Sequence, residues 1–232
     1  MRPTISILGC GKLGLQLGKK LIEDNYEVKG STRTPSRIYE LADAGIRPYN
    51  ININQRPNLE VPKQFFNTDI LVISLPPKRQ LNVEIIFSDQ IVAIINLVKE
   101  YQISRVLFIS STSVYQETNR EVREGEEGIP EKLSGKALIK AENLLLKEKD
   151  FYTTVVRFGG LIGLDRNPAH FFSGRKNIPG EVPVNLIHST DCINIISEII
   201  CNNIWGEVFN ACCPIHPTRT EFYIQAAEIF GL

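Results

Sequence analysis

The 232 residues carry no net charge, because 26 lysines and arginines are matched by 26 aspartates and glutamates. Without a basic cluster, nothing in the sequence speaks for nucleic acid or an anionic membrane surface as a partner. No apolar run reaches the roughly 18 residues that a bilayer crossing needs, and the first strand pattern begins at Thr4, which leaves no room for a signal peptide. A cytoplasmic protein is the expectation. Cys10, Cys192, Cys201, Cys212 and Cys213 are odd in number and show neither CxxC nor Cys/His metal spacing, so reduced, mostly buried thiols are expected and no metal site is.

What is present is concentrated at the start of the chain. Ile5 to Leu8 are β-prone, Gly9-Cys10-Gly11-Lys12-Leu13-Gly14 follows, and Leu13, Leu17 and Leu21 then recur at helical spacing. The pattern predicts a strand, a glycine turn and a helix. Gly9 permits the turn, Gly11 lets the backbone approach a diphosphate, and Gly14 lets the helix lie close to the strand. The helix N-terminus, at Lys12 and Leu13, offers N–H groups and partial positive charge to phosphates. A dinucleotide site is one reading, and a tight turn in another α/β fold is the other. Cys10 lies in this loop, where a helix N-terminus lowers a thiol pKa; a structural role is favoured.

Tyr26–Thr32 reads as the second strand. At its end an acidic residue would bind the ribose of NAD, whereas an arginine accommodates the 2′-phosphate of NADP. Here stand Ser31, Thr32, Arg33 and, a turn later, Arg37, with no carboxylate until Glu40. Hydroxyls and guanidinium groups suit a phosphate, so NADP(H) is expected over NAD(H). The alternative is that both arginines merely solvate a helix start.

Ser36–Ala44 reads as a helix capped by Gly45, Ile46–Tyr49 as a short strand, and residues 50–66 as loop with a turn of helix. Thr68–Leu75 is a buried strand ending in Pro76-Pro77, so Leu75, Pro76 and Pro77 are candidates to line the adenosine side, at the strand end where ligands sit. A long helix over Leu81–Tyr101, with Ser88-Asp89 as a candidate interruption, leads to the strand Arg105–Ile109 and then Ser110-Ser111-Thr112-Ser113-Val114-Tyr115. Strand and helix alternate through five strands, which predicts an α/β doubly wound parallel sheet, the Rossmann fold.

FISSTSVYQ (Phe108–Gln116), with the GCGKLG loop, VVRFGGLIG (Val155–Gly163), LIHSTDCINII (Leu186–Ile196), EVFNACCP (Glu207–Pro214) and PTRTEFY (Pro217–Tyr223), resembles the extended short-chain dehydrogenase/reductase family. The resemblance is nearest to its atypical, epimerase/dehydratase-like bacterial members, and it spans nearly the whole chain in order. It implies a catalytic hydroxyl at Ser111, which would hydrogen-bond the substrate oxygen that changes between alcohol and carbonyl. It also implies a tyrosine base with a lysine four residues on, and a loop, Gly159–Gly163, that closes on the nicotinamide end and whose motif includes Arg157 and Gly160; Ser110, at the end of the Arg105–Ile109 strand, is a further cofactor-side candidate.

The tyrosine is missing. The seven tyrosines are followed four residues later by Gly30, Asp43, Ile53, Arg105, Asn119, Val156 and Ala227. On the helix Leu133–Lys149, Lys140 takes the place of the ribose-binding lysine and Lys136 that of the tyrosine; both also read as solvated helix positions. Tyr115 could reach the pocket from the neighbouring loop, but reads rather as a packing and substrate-shaping residue. Glu117–Glu131 reads as a mobile charged surface loop.

Phe151–Phe158 is the sixth strand. Asp165–Pro183 lacks periodicity and offers Arg166, His170 and Arg175 toward an anionic or sugar-like ligand, or else packs as a loop on the sheet edge. His188 is a further substrate-side candidate or a structural histidine, Asp191 the first candidate for N-cap of the next helix with Ser189 or Thr190 as competitors, Val208–Ala211 a short strand, and Thr218 with Glu221 a capping box opening the last helix. Residues 1–160 are expected to form the dinucleotide-binding domain, and 161–232 a small substrate-side region interleaved with its last strand and helices. The partner is expected to be a small molecule; the oligomeric state, homodimer included, stays open. Two functions follow: an NADP(H)-dependent redox or epimerising enzyme on a small carbonyl, alcohol or nucleotide-sugar-like substrate, or a catalytically degenerate NADP(H)-dependent sensor or interaction protein. A reductase of the six-phosphogluconate-dehydrogenase type is disfavoured, since it would not need the SSTSVY strand end.

Overall fold

The computed structural model describes residues 2–53, 61–78, 80–118, 120–164, 168 and 179–231. Its element order is β1 (Thr4–Leu8), α1 (Lys12–Glu23), β2 (Glu27–Thr32), α2 (Arg37–Asp43), β3 (Arg47–Asn50), α3 (Lys63–Phe66), β4 (Ile70–Ile73), α4 (Val83–Glu100), β5 (Arg105–Ser111), a 3-10 turn (Thr112–Val114), α5 (Leu133–Leu146), β6 (Tyr152–Phe158), β7 (Gly160–Ile162), β8 (Leu186–His188), α6 (Ser189–Cys201), β9 (Val208–Ala211) and α7 (Arg219–Phe230).

Seven strands form one parallel sheet in the order β3-β2-β1-β4-β5-β6-β9. The chain winds outward from β1 to β3, then crosses back to β4 beside β1. That reversal leaves a crevice at the carboxyl ends of β1 and β4, where open α/β sheets bind their ligands. The expected doubly wound α/β sheet is what forms.

Alternate strand residues feed two cores. Leu71 and Ile73, Val106 and Phe108, and Val155 face α4 and α5, while Ile5 and Ile7, Val72, Leu107, Val156 and Phe158 face α1 and α6. Near-continuous apolar strands follow from this two-sided covering. Polar side chains tie short α3 to the sheet, as Ser6 Oγ and Lys29 Nζ donate to the carbonyls of Phe65 and Asn67.

Several boundaries differ from the sequence reading. Helix α4 runs unbroken through Ser88-Asp89, with Ser88 Oγ donating to the Glu84 carbonyl inside the helix instead of ending it. Asp191 is not the cap of α6: the helix starts at Ser189, and His188 Nδ1 accepts the Thr190 N–H at 3.2 Å. Gly160–Ile162, read as loop, pairs with Leu186–His188 in a two-stranded parallel sheet. Gly45 (φ +77°) closes α2, and Thr218 and Glu221 form both bonds of the capping box. Cys10 and Cys192 are buried, Cys212 is half-buried, and Cys201 and Cys213 are exposed; none of the five is joined in a disulfide.

Candidate functional site

The three glycines of the first turn stand in three different surroundings. Gly9 has φ +94°, and a Cβ there would lie 2.6 Å from the Ser74 carbonyl oxygen and 2.7 Å from Leu75 Cδ2. A Cβ on Gly14 would lie 3.1 Å from the Gly9 oxygen and 3.3 Å from Ile7 Cγ2, whereas one on Gly11 would meet nothing within 4 Å. Gly9 is therefore demanded by the protein's own packing, and Gly14 sits in a tight fit against it. Gly11 is under no such demand, and the space above it is what a close-approaching diphosphate needs. Helix α1 opens at Gly11 with no side-chain cap and no acidic residue in its first turn, so nothing there competes with an anion.

The end of β2 is stitched to this loop. Gly9 N donates to Ser31 Oγ at 2.9 Å, and Cys10 N donates to the Ser31 carbonyl at 2.7 Å. Thr32 Oγ1 accepts the Thr34 N–H at 3.1 Å. Both hydroxyls are buried. In the described structure Ser31 holds the glycine loop and Thr32 closes its own turn, each as an acceptor that keeps its own O–H to donate. The cations remain outside, Arg33 exposed and Arg37 laid over the loop with Nη1 on the Cys10 carbonyl at 3.2 Å and Nε on Glu40 at 2.7 Å.

Cys10 is packed inward between Gly14 and Gly30. Burial pushes its thiol up to about 12, against the pull of Arg37, so the lowered pKa that a helix N-terminus would impose is overridden. Across the crevice, half-buried Leu75 touches the Gly9 position, with exposed Pro76 and half-buried Pro77 continuing along the β4 end.

At the ends of β5 and β6, neighbouring residues point to opposite faces. Ser110 turns toward α5 and donates to Glu142, which is fully buried. Glu142 also takes Arg157 Nη2 at 2.6 Å and Nε at 3.0 Å, while Arg157 Nη1 reaches the Tyr115 hydroxyl and, at 3.3 Å, the Glu124 carbonyl. The guanidinium lies 5.0 Å from the Tyr115 ring centroid. Burial alone would depress Arg157, but the bonds and charge of Glu142 outweigh it and hold the cation above its ordinary range. Ser110 and Arg157, expected on the cofactor, are tied by these side-chain bonds to Glu142, Tyr115 and Glu124.

The tie continues outward. The Tyr115 hydroxyl also lies 3.2 Å from the Arg123 carbonyl and 3.0 Å from Asn210 Oδ1, and Asn210 N donates to Glu124 Oε1 at 2.9 Å. Val155 and Gly159 donate their N–H groups to the Glu207 and Ala211 carbonyls, so the alternate residue Asn210 turns its N–H off the open edge of β9, where Glu124 meets it. The charged segment after Tyr115, expected as a mobile loop, is thus clasped at Arg123 and Glu124.

Ser111 Oγ accepts the Ser113 N–H at 3.2 Å, capping the 3-10 turn at the end of β5. Lys140 Nζ lies 3.5 Å from Glu84 on α4, and the side chain is 55% exposed. Lys136 is exposed as well. Gly160 donates its N–H to Asn185, and His188 sits exposed against Gly163, a Cβ on which would lie 2.4 Å from Nε2. Arg166, His170 and Arg175 lie outside the described residues. Among the described residues no group of three or more His, Cys, Asp or Glu side chains is gathered for a metal ion, and no helix is long and apolar enough to cross a membrane.

Sequence reading missed Glu142, Glu124 and Asn210. Glu142 had a signal: it stands alone among Leu138, Ala141 and Leu145 on the buried face of α5, as Arg157 does in the apolar strand VVRF. A charge so placed needs a partner.

The family model described as NAD(P)H-binding matches residues 9–183. The chain belongs to this NAD(P)H-binding family. Protein YeeZ of Escherichia coli (strain K12) is 31% identical over 232 residues, covering 98% of this chain and 84% of that protein. Among solved structures, UDP-glucuronic acid 4-epimerase from Bacillus cereus, in complex with UDP-glucuronic acid and NAD, superposes with a TM-score of 0.81 at 18% identity, over 99% of this chain and 83% of the other. The dTDP-glucose 4,6-dehydratase of Bacillus anthracis, in complex with NAD, gives 0.77 at 15% identity over 99% and 81%. At such identities the likeness is one of fold: the chain shares the α/β architecture of these two enzymes.

Proposed function

We propose that this is a cytoplasmic NADP(H)-binding protein of the epimerase/dehydratase-like short-chain dehydrogenase/reductase type, acting on a small carbonyl, alcohol or nucleotide-sugar-like substrate. The observation that carries the reading is the contrast within the glycine turn: Gly9 and Gly14 are closed by the protein, and Gly11 is open. In this reading the α1 N-terminus, with the main chain at Lys12 and Leu13, binds the diphosphate, Arg33 and Arg37 take the 2′-phosphate, and Leu75 to Pro77 line the adenosine side. The bound cofactor supplies hydride exchange. Gly160 lies on the cofactor side, Ser111 donates a hydrogen bond to the substrate oxygen, and residues 161–232, His188 among them, form the substrate side.

A second reading, a catalytically degenerate NADP(H)-dependent sensor, is favoured by α5 itself. It carries no tyrosine, Lys140 leans on Glu84, and the Tyr115 hydroxyl is bound by Arg157 and Asn210. A titration of NADPH fluorescence, joined to consumption assays over sugar nucleotides and simple carbonyls, separates the two. Turnover that Ser111→Ala abolishes while NADPH affinity is kept supports the enzyme. Tight binding without turnover anywhere in the panel supports the sensor.

A further inference from the structure

Arg37 already has an anionic partner. Its Nε meets Glu40 Oε2 at 2.7 Å and its Nη1 the Cys10 carbonyl at 3.2 Å, so the guanidinium is fixed over the glycine loop, with the side chains 29% and 48% exposed. We propose that Glu40 sets how strongly this chain favours a 2′-phosphorylated nicotinamide cofactor, by occupying Arg37 until the phosphate displaces it. The inference rests on the cofactor reading above.

An arginine presents its N–H groups in a rigid fork, and a phosphate bound by two of them uses adjacent donors along one edge. With Nη1 on the Cys10 carbonyl, the edge from Nε to Nη2 is the one that meets no main-chain oxygen of the loop, and Glu40 sits at Nε. A phosphate there must replace the carboxylate or share the cation with it, and in either case faces its negative charge. A cofactor that ends in a ribose hydroxyl meets no such competition. Lys19 also acts on Glu40, and with Arg37 it holds the carboxyl below its usual range, the hydrogen bond from Arg37 being the largest cause. Glu40 is therefore an anion at neutral pH.

The test measures NADPH and NADH dissociation constants by fluorescence for the whole chain, Glu40→Gln, Arg37→Ala and the double variant. An exposed ion pair is worth little, so the change is modest. Glu40→Gln is expected to tighten NADPH about three- to fivefold and leave NADH unchanged, and to do nothing when Arg37 is alanine. NADPH affinity that stays the same or weakens in Glu40→Gln overturns the proposal while leaving the cofactor reading intact. An unmodified chain that binds neither nucleotide overturns both.

Discussion

Glu142, wholly buried on α5, holds Arg157 of β6 through two of its nitrogens and Ser110 of β5 through a third bond. One carboxylate thereby joins a helix to two adjacent strands at the carboxyl edge of the sheet. Removing either charge leaves the other stranded where water cannot reach it. Glu142→Ala is expected to lower stability by about 3–5 kcal/mol, measured by urea unfolding. Glu142→Leu combined with Arg157→Met should recover much of that loss.

The glycine turn separates packing from binding. Gly9→Ala forces a strained φ and a clash with the Ser74 carbonyl, and is expected to cost about 1–3 kcal/mol of stability. Gly11→Ala meets no protein atom, so stability should stay within about 0.5 kcal/mol while NADPH affinity falls at least about tenfold. Thermal melts and fluorescence titrations read the two effects separately.

Acid should loosen the clasp at Glu124. The Asn210 N–H bond, with its own main-chain N–H and Arg157, holds this carboxyl below its ordinary 4.5. A carboxyl depressed in the folded state stabilises above the unfolded pKa, and that contribution disappears as pH falls through the lower folded value. The stability difference between the unaltered chain and Glu124→Gln should be constant above about pH 5.5 and shrink below about 4.5, followed by denaturation at stepped pH.

The thiols should react in order of exposure. Cys201 and Cys213 are expected to label quickly with a maleimide at pH 7, and Cys10, buried with its pKa near 12, only on unfolding. Mass spectrometry of the partly labelled native protein checks the order.

Lys140→Ala tests a position where family likeness and geometry part. Its ammonium is exposed and 3.5 Å from Glu84, so the change should move stability by under about 0.5 kcal/mol and leave NADPH affinity as it was. A large loss of affinity would return the lysine to the cofactor.

Much of this was legible in the chain because local pattern and global fold agree. The run from Ile5 to Leu21 specified strand, turn and helix, and doubly apolar strands such as Ile70–Ile73 announced a sheet covered on both faces. Side-chain direction was not legible. Whether Ser31 faces a ligand or the loop beneath it, and whether Ser110 or Ser111 turns toward α5, depends on strand parity and on a partner 32 residues away from Ser110 in sequence. His188 capping α6 was missed because histidine is an uncommon cap, and Asp191 fits the usual preference better.

The most direct measurement is calorimetric titration of the unmodified chain with NADPH and with NADH. One NADPH per chain, bound more tightly than NADH, is the expected result. Absence of heat with either nucleotide would contradict the assignment of the glycine turn as a diphosphate site.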